Sequence, residues 1–205
     1  MKAAEASQLS MLLAFRAENT RSFRDELELS MEGTTLSEEG VPMEISWRTA
    51  GSPLKVLPAA GIFGANSSGK SNVLLALSEF RSHVTLSFRS GDLSGGMPRR
   101  PFLLDSSVAT RPTRFEIDLV VGGIRHEYGV EFDDDSVINE WAYRYPRGRA
   151  ALLFRRARGK PVELGPGNRA IGRAIEKITR PNSLFLSAAA AGSHPDLLPL
   201  YQWFE

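Results

Sequence analysis

The chain has 205 residues, 42% hydrophobic and 24% charged, which is enough to bury the core of one domain or one large lobe. A formal net charge of +1 excludes a global field that would draw it to nucleic acid or a membrane surface, and the cations are mostly Arg, with Lys only at 2, 55, 70, 160 and 177. The absence of Cys excludes disulfides and thiolate zinc sites, and no early apolar run is long enough for a leader or a span, so a cytoplasmic protein is expected, with nucleic acid not indicated and no membrane partner.

Residues 1–9 read as a flexible lead-in. Residues 10–205 read as one α/β lobe: strands, a glycine loop and a first helix over 10–90, a β meander over 91–165, and a helical end over 166–205. Two strands are expected at the start, "LLAFRAENTRSF" and "DELELSME", joined by a short turn at Arg24 and Asp25. In the second, Leu27, Leu29 and Met31 alternate with polar residues, the pattern of a half-buried strand. Gly, Ser, Thr and Pro dominate 33–55, which reads as a loop. "VLPAAGIFG" has the look of a buried central strand. After the glycine loop, Val73, Leu74, Leu77, Phe80 and Val84 recur at helical spacing, predicting a helix from Ser71 to about Leu86.

The meander carries the sharpest local signal. Phe115, Ile117, Leu119 and Val121 alternate before Gly122 and Gly123, and Ile124, His126, Tyr128, Val130 and Phe132 alternate after them. A two-residue turn pairs 121 with 124, 119 with 126 and 117 with 128, placing both sets on one face. "VINEWAYRY" and "ALLFRRA" add strands for a meander of about four. From Asn168 the spacing is helical through Ile171, Ile175 and Ile178, breaks at Pro181, and resumes toward an apolar end at Trp203 and Phe204. The abrupt end suggests a truncated form.

"GANSSGKS" fits the phosphate-loop pattern G-x-x-x-x-G-K-[ST]. Gly64, Ala65, Asn66, Ser67, Ser68, Gly69, Lys70, Ser71 and Asn72 are the candidate nucleotide-binding residues. Two glycines let main-chain amides approach phosphate oxygens, and the following helix adds its positive end. Lys70 is positioned to reach β- and γ-phosphates and is the candidate catalytic residue; Ser71 is the candidate ligand of Mg²⁺. The expected cofactors are ATP and Mg²⁺.

No guanine-reading N-K-x-D run follows, and an antiparallel meander replaces the βαβ units of a small-molecule kinase. The order of parts resembles the ATPase heads of the ABC, SMC and RecF type. "FRAENTRSFRDELELSM", "GANSSGKSN" with Asn66 and Asn72, "PFLLD", "YGVEF", "INEWAY", "LLFRR" and "SLFLSAAAA" are similar to successive blocks of the bacterial AAA15 or OLD-like ATPases. That resemblance implies an α/β P-loop head with an antiparallel β subdomain, ATP hydrolysis at a head-to-head homodimer, and an effector or nuclease partner, with phage defence as the family's company. It also implies a longer intact protein, in which residues 10–205 are the N-terminal lobe of a P-loop ATPase head, with signature, Walker B strand and switch residue in a second half. No apolar strand ending in Asp-Glu occurs here, so this chain alone is expected to bind ATP and hydrolyse it poorly. The alternative is a non-catalytic nucleotide-binding or interaction module.

Other candidates favour structural roles. "DLSGGM" contains the letters of an ABC signature but runs into Pro98 and Pro101, which bar the helix a signature opens, so it reads as a loop. "DDD" at 133–135 reads as a solvated turn. Asn19, Arg21 and Ser22 read as a β-turn that in similar ATPases approaches the nucleotide. His126 reads as a packed core histidine, Trp141, Tyr143 and Tyr145 as packing residues, and the pairs Arg99–Arg100 and Arg155–Arg156 as a solvated face. Asp105 falls near the place of a γ-phosphate sensor in the resembling heads.

Overall fold

The computed structural model describes residues 10–34, 41–45, 53–90, 92 and 95–205. The expected lead-in, parts of the 33–55 loop, and Leu93 and Ser94 lie outside them. Seven strands form one antiparallel sheet in the order β2-β1-β5-β6-β7-β8-β9. They are β1 (Ser10–Glu18), β2 (Leu27–Ser30), β5 (Thr113–Val121), β6 (Ile124–Phe132), β7 (Val137–Tyr145), β8 (Ala151–Ala157) and β9 (Glu163–Leu164). A separate two-stranded ribbon pairs β3 (Met43–Ile45) with β4 (Leu54–Val56). The helices are α1 (Lys70–Ser90), α2 (Ser106–Ala109), α3 (Arg169–Ile178), α4 (Phe185–Ala191) and α5 (Leu198–Trp203).

The β5–β6 hairpin has the expected register, Val121 opposite Ile124, Leu119 opposite His126 and Ile117 opposite Tyr128. Gly122 and Gly123, at φ +57° and +74°, supply the left-handed turn that such a hairpin requires. The inward set joins α1 and the C-terminal helices in the main core. Phe80 of α1 stacks on Tyr128 at 5.6 Å and on Phe115 at 5.3 Å. Phe204, at the apolar end, meets Phe80 edge-on at 5.3 Å and Tyr128 at 6.0 Å, so that end is core rather than surface. "SAAAAGS", which has no hydrophobic period to read, supplies most of α4, buried from Phe185 to Ala189.

Glu140 holds α4 to the sheet. Its side chain, on β7, is fully buried and accepts hydrogen bonds from the amides of Phe185 (2.7 Å) and Leu186 (2.9 Å) and from the Tyr128 hydroxyl (3.1 Å). The guanidinium of Arg156 lies 3.6 Å away and donates to the carbonyls of Ser183 and Arg180. A carboxylate from a distant strand thus caps a helix whose own Leu184 offers no cap. Burial pushes the Glu140 carboxyl up, and Arg156 and the donors pull it back.

The opposite sheet face joins ion pairs to a small apolar cluster, in which Leu13 and Val120 meet Ile45 and Val56 of the ribbon. Arg16 bridges Glu28 and Glu116, Arg125 forks onto Asp118 at 2.6 Å, and Arg155 pairs with Glu163. Trp141 and Tyr145 belong to this face: Arg114 lies over the first ring at 5.4 Å and Arg125 over the second at 4.4 Å. They pack, as expected, Trp141 under a cation and Tyr145 between a cation and a small apolar cluster of Leu13, Val120, Ile45 and Val56. Gly129 is opposite Trp141 across the strands, where an added Cβ would fall 2.2 Å from the indole.

Several expectations need correction. The first turn spans 19–26 rather than Arg24 and Asp25, because Asn19 and Arg21 adopt φ +47° and +54° and end β1 at Glu18. The 33–55 stretch is not all loop, since it contains the β3–β4 ribbon. The central strand over "VLPAAGIFG" is absent: after Leu57, whose amide donates to Met31, residues 58–64 join no strand, and Phe63 is 93% exposed. An apolar run becomes a strand only where a neighbour completes its hydrogen bonds, and no described strand lies beside this one. Arg99 is not a solvated cation; its side chain is 2% exposed, donates to the carbonyls of Ala109 and Arg111, and forks onto Asp134. Arg156 is likewise structural, whereas Arg100 and Arg155 are exposed. No described helix is long and apolar enough to cross a membrane.

Two outcomes follow from the buried polar groups. Glu140→Ala strands two helix amides and a phenol, and should lower stability in urea by about 3 kcal/mol, with Glu140→Gln falling between it and the native chain. His83 of α1 is buried and its pKa is lowered to about 4 by desolvation. The folded ring stays neutral while the unfolded ring protonates near 6.5, so this contribution is complete above pH 6.5 and is lost as pH falls toward 4. Urea titrations across that window should show a loss of about 3 kcal/mol that His83→Leu flattens.

Candidate functional site

The glycine loop runs from Gly64 into the first turn of α1, which opens at Lys70 and continues to Ser90, somewhat longer than its apolar spacing predicts. Ser67 (φ +65°) and Gly69 (φ +91°) take left-handed conformations that wrap the backbone, and Ser68 donates its amide to the Ala65 carbonyl at 3.3 Å. Residues 64–68 and Ser71 are exposed. The Lys70 ammonium folds back into the loop and donates to the carbonyls of Gly64 (2.8 Å) and Ala65 (2.6 Å). No acidic residue stands in the first turn of α1, so nothing offsets the positive end of that helix. An exposed wrap of amides, a helix start and an inward lysine form an arrangement suited to a polyphosphate.

The turn after β1 is locked to this loop. The side-chain Nδ2 of Asn72 donates to Ser22 Oγ at 2.9 Å. At Gly69 an added Cβ would lie 2.9 Å from Ser22 Oγ and 3.6 Å from the Phe23 ring, so a side chain there would displace Ser22 and strain a positive φ. Arg21 pairs with Glu79 of α1 at 2.9 Å, both side chains nearly buried at 13% and 12%, and its amide donates to the Arg100 carbonyl. Asn19 donates to the carbonyls of Val108 (2.9 Å) and Arg111 (2.7 Å) and accepts the Phe102 amide at 3.0 Å. These bonds hold two non-glycine residues at positive φ, a local cost that persists only when the surroundings overdetermine it. Glu79 carries no sequence signal, because its partner is 58 residues away.

A groove of about 550 Å³ beside the loop is lined by Arg21, Ser22, Asn72, Arg100, Leu103 and Leu104. Asp105 stands past its far edge, capping α2 through the amide of Ser107 (3.0 Å) and pairing with Arg24 at 3.4 Å. Hydrogen bonds from Ser107 hold its carboxyl below the usual range.

A family described as "AAA domain, putative AbiEii toxin, Type IV TA system" matches residues 59–171, more than half of the chain, beginning just before the glycine loop. The chain belongs to this family. It is therefore an AAA domain of the P-loop ATPase type, for which nucleotide binding is the family property. A comparison with curated proteins finds no match.

The remaining candidates do not join the loop. His126 is buried with Nδ1 2.9 Å from the Ile124 carbonyl, and burial lowers its pKa. Asp133 takes the amides of Asp135 and Ser136 and pairs with Arg158 at 2.7 Å, and Asp134 holds Arg99, so "DDD" is an ion-paired turn. Among the described residues no cluster of acids and histidines could hold a metal ion. The described part of "DLSGGM" is not helical: Gly95 offers its carbonyl to Asn182, and Gly96 abuts the Asp134 carbonyl.

Gly69→Ala should cost about 1–3 kcal/mol in a thermal melt, from positive φ together with the contact at Ser22. Adding Ser22→Gly should recover only the contact part.

Proposed function

We propose that residues Gly64, Ala65, Asn66, Ser67, Ser68, Gly69, Lys70, Ser71 and Asn72 hold Mg-ATP in a head of the ABC/SMC type, hydrolysed in an intact protein at a head-to-head homodimer. One observation carries the reading: the Lys70 ammonium sits 2.6–2.8 Å from two carbonyls inside a left-handed glycine loop, at the start of a helix with no acidic first turn. On binding, Lys70 would exchange those carbonyls for β- and γ-phosphate oxygens, and the loop amides would take the remaining charge. The Ser71 hydroxyl would hold Mg²⁺, which when bound supplies neutralising charge across the phosphates. Asn72, anchored on Ser22, would keep the loop in register. We propose an effector, such as a nuclease, as the partner class and phage defence as the process, in keeping with a family description that names a toxin.

A second reading, a nucleotide-binding module without turnover, is favoured by the state of the carboxylates. Glu140, the acid of "INEW", is buried with both oxygens engaged, and Asp133 and Asp134 are ion-paired. None of them can orient a water on a phosphate.

Titration with a fluorescent ATP analogue in millimolar Mg²⁺ should show saturable binding that Lys70→Ala weakens at least tenfold, about 1.4 kcal/mol. Phosphate release lost with Lys70 supports the ATPase, and binding without release supports the module. An unsaturable titration, or unchanged affinity in Lys70→Ala, refutes both.

A further inference from the structure

Between β4 and the glycine loop the chain exposes what a fold ordinarily covers. Residues 58–63 form neither helix nor strand and are exposed throughout, and among the described residues no hydrogen bond ties their backbone. Their side chains are apolar, with Phe63 93% exposed and Ile62 38%. The Phe63 ring reaches no core and lies back over its own Gly61, where an added Cβ would come 2.7 Å from it. Bare amides and carbonyls beside apolar side chains are a template on which another strand pairs.

The outer side of α1 is bare in the same way. Val73, Ala76, Phe80 and Val84 are buried, yet Leu74 is 61% exposed on the other side, with Ser71 and Ser78 beside it. A helix apolar on both sides is one that packs on both. Leu74 stands one turn beyond Lys70 on the same face, and the Lys70 ammonium donates to the carbonyl of Gly64, the residue after Phe63. Phe63 and Leu74 therefore stand at the two ends of the glycine loop, which that bond draws together.

Charge decides the occupant. Between Pro58 and Ser78 the chain has one charged residue, Lys70, and its ammonium is turned into the loop. A strongly acidic or basic partner finds no complement there, whereas two copies of the patch meet without like charges opposed. The segment is also complementary to itself. Antiparallel pairing centred on Gly61 sets Phe63 opposite the partner's Ala59 and Ile62 opposite the partner's Ala60, large against small on both faces. Gly61, on the two-fold axis, leaves room for the rings beside it.

We propose that a second copy of this chain covers the patch, by antiparallel pairing of residues 59–63 across a two-fold axis at Gly61, with Leu74 at the rim. The contact needs no nucleotide. It is separate from a head-to-head contact formed on ATP and does not rest on the loop's binding ATP.

Sedimentation equilibrium of the full chain without nucleotide, over about 1–100 μM, should show a monomer–dimer equilibrium that persists in Lys70→Ala. Phe63→Asp and Leu74→Glu should each weaken the dimer at least tenfold. Their melting curves, taken at a dilution where the unaltered chain is monomeric, should match it, because both side chains are exposed. The chain has no Cys, so Gly61→Cys introduces a single thiol. A residue on a two-fold axis meets itself, and mild oxidation should link this variant into a covalent dimer, while Arg147→Cys, exposed between β7 and β8, stays monomeric. A chain that is monomeric throughout the range leaves the patch to a different polypeptide and overturns the proposal. So does a dimer that forms only with ATP, or one that Phe63→Asp and Leu74→Glu both leave intact. Gly61→Cys linking no faster than Arg147→Cys overturns the pairing at Gly61.

Discussion

A single buried carboxylate joins the two halves of this molecule. Glu140 projects from the middle of the sheet into the core, where water cannot solvate it, and a charge so placed survives only if the fold surrounds it with donors. Two amides at the start of α4, the Tyr128 phenol and the Arg156 guanidinium do so. Because those donors come from β6, β8 and α4, the arrangement forms only when strand register and helix placement are both correct. The aromatic stack of Phe80, Phe115, Tyr128 and Phe204 is then assembled against a fixed wall, and α1 is packed on it.

The position of α1 decides the geometry of the glycine loop. The loop lies on the surface with no strand running directly into it, and what steadies it is the turn at 19–23, through Asn72 on Ser22, Gly69 against Phe23, and Arg21 on Glu79. Asn19 fixes that same turn to the stretch 102–112. A strained turn therefore stands between the candidate phosphate site, the exposed Leu103 and Leu104, and the groove lined by Arg100.

Legibility varied with the range of the interaction. The β5–β6 hairpin was readable residue by residue, since a Gly-Gly turn and a period of two suffice to set the register. The glycine loop and its helix were equally readable, being local motifs. The strand before the loop was misread because hydrophobicity reports burial without naming the partner, and here no described strand supplies one. Glu140 gives no sign of its role in the sequence, because its donors are 12, 16 and 45 to 46 residues away. Arg99 and Arg156 looked like solvated charges for the same reason.

The amino-acid sequence by itself determined the elements whose causes lie within a few residues: the hairpin, the meander, the helix after the loop, and the glycines and lysine that make the loop a phosphate-site candidate. The tertiary structure alone decided which charges are buried and which are exposed. It also decided that the apolar end belongs to the core and that the first turn clamps the loop. Local periodicity follows from backbone geometry, which neighbouring residues share, whereas the pairing of a polar group is settled by whatever the fold brings against it.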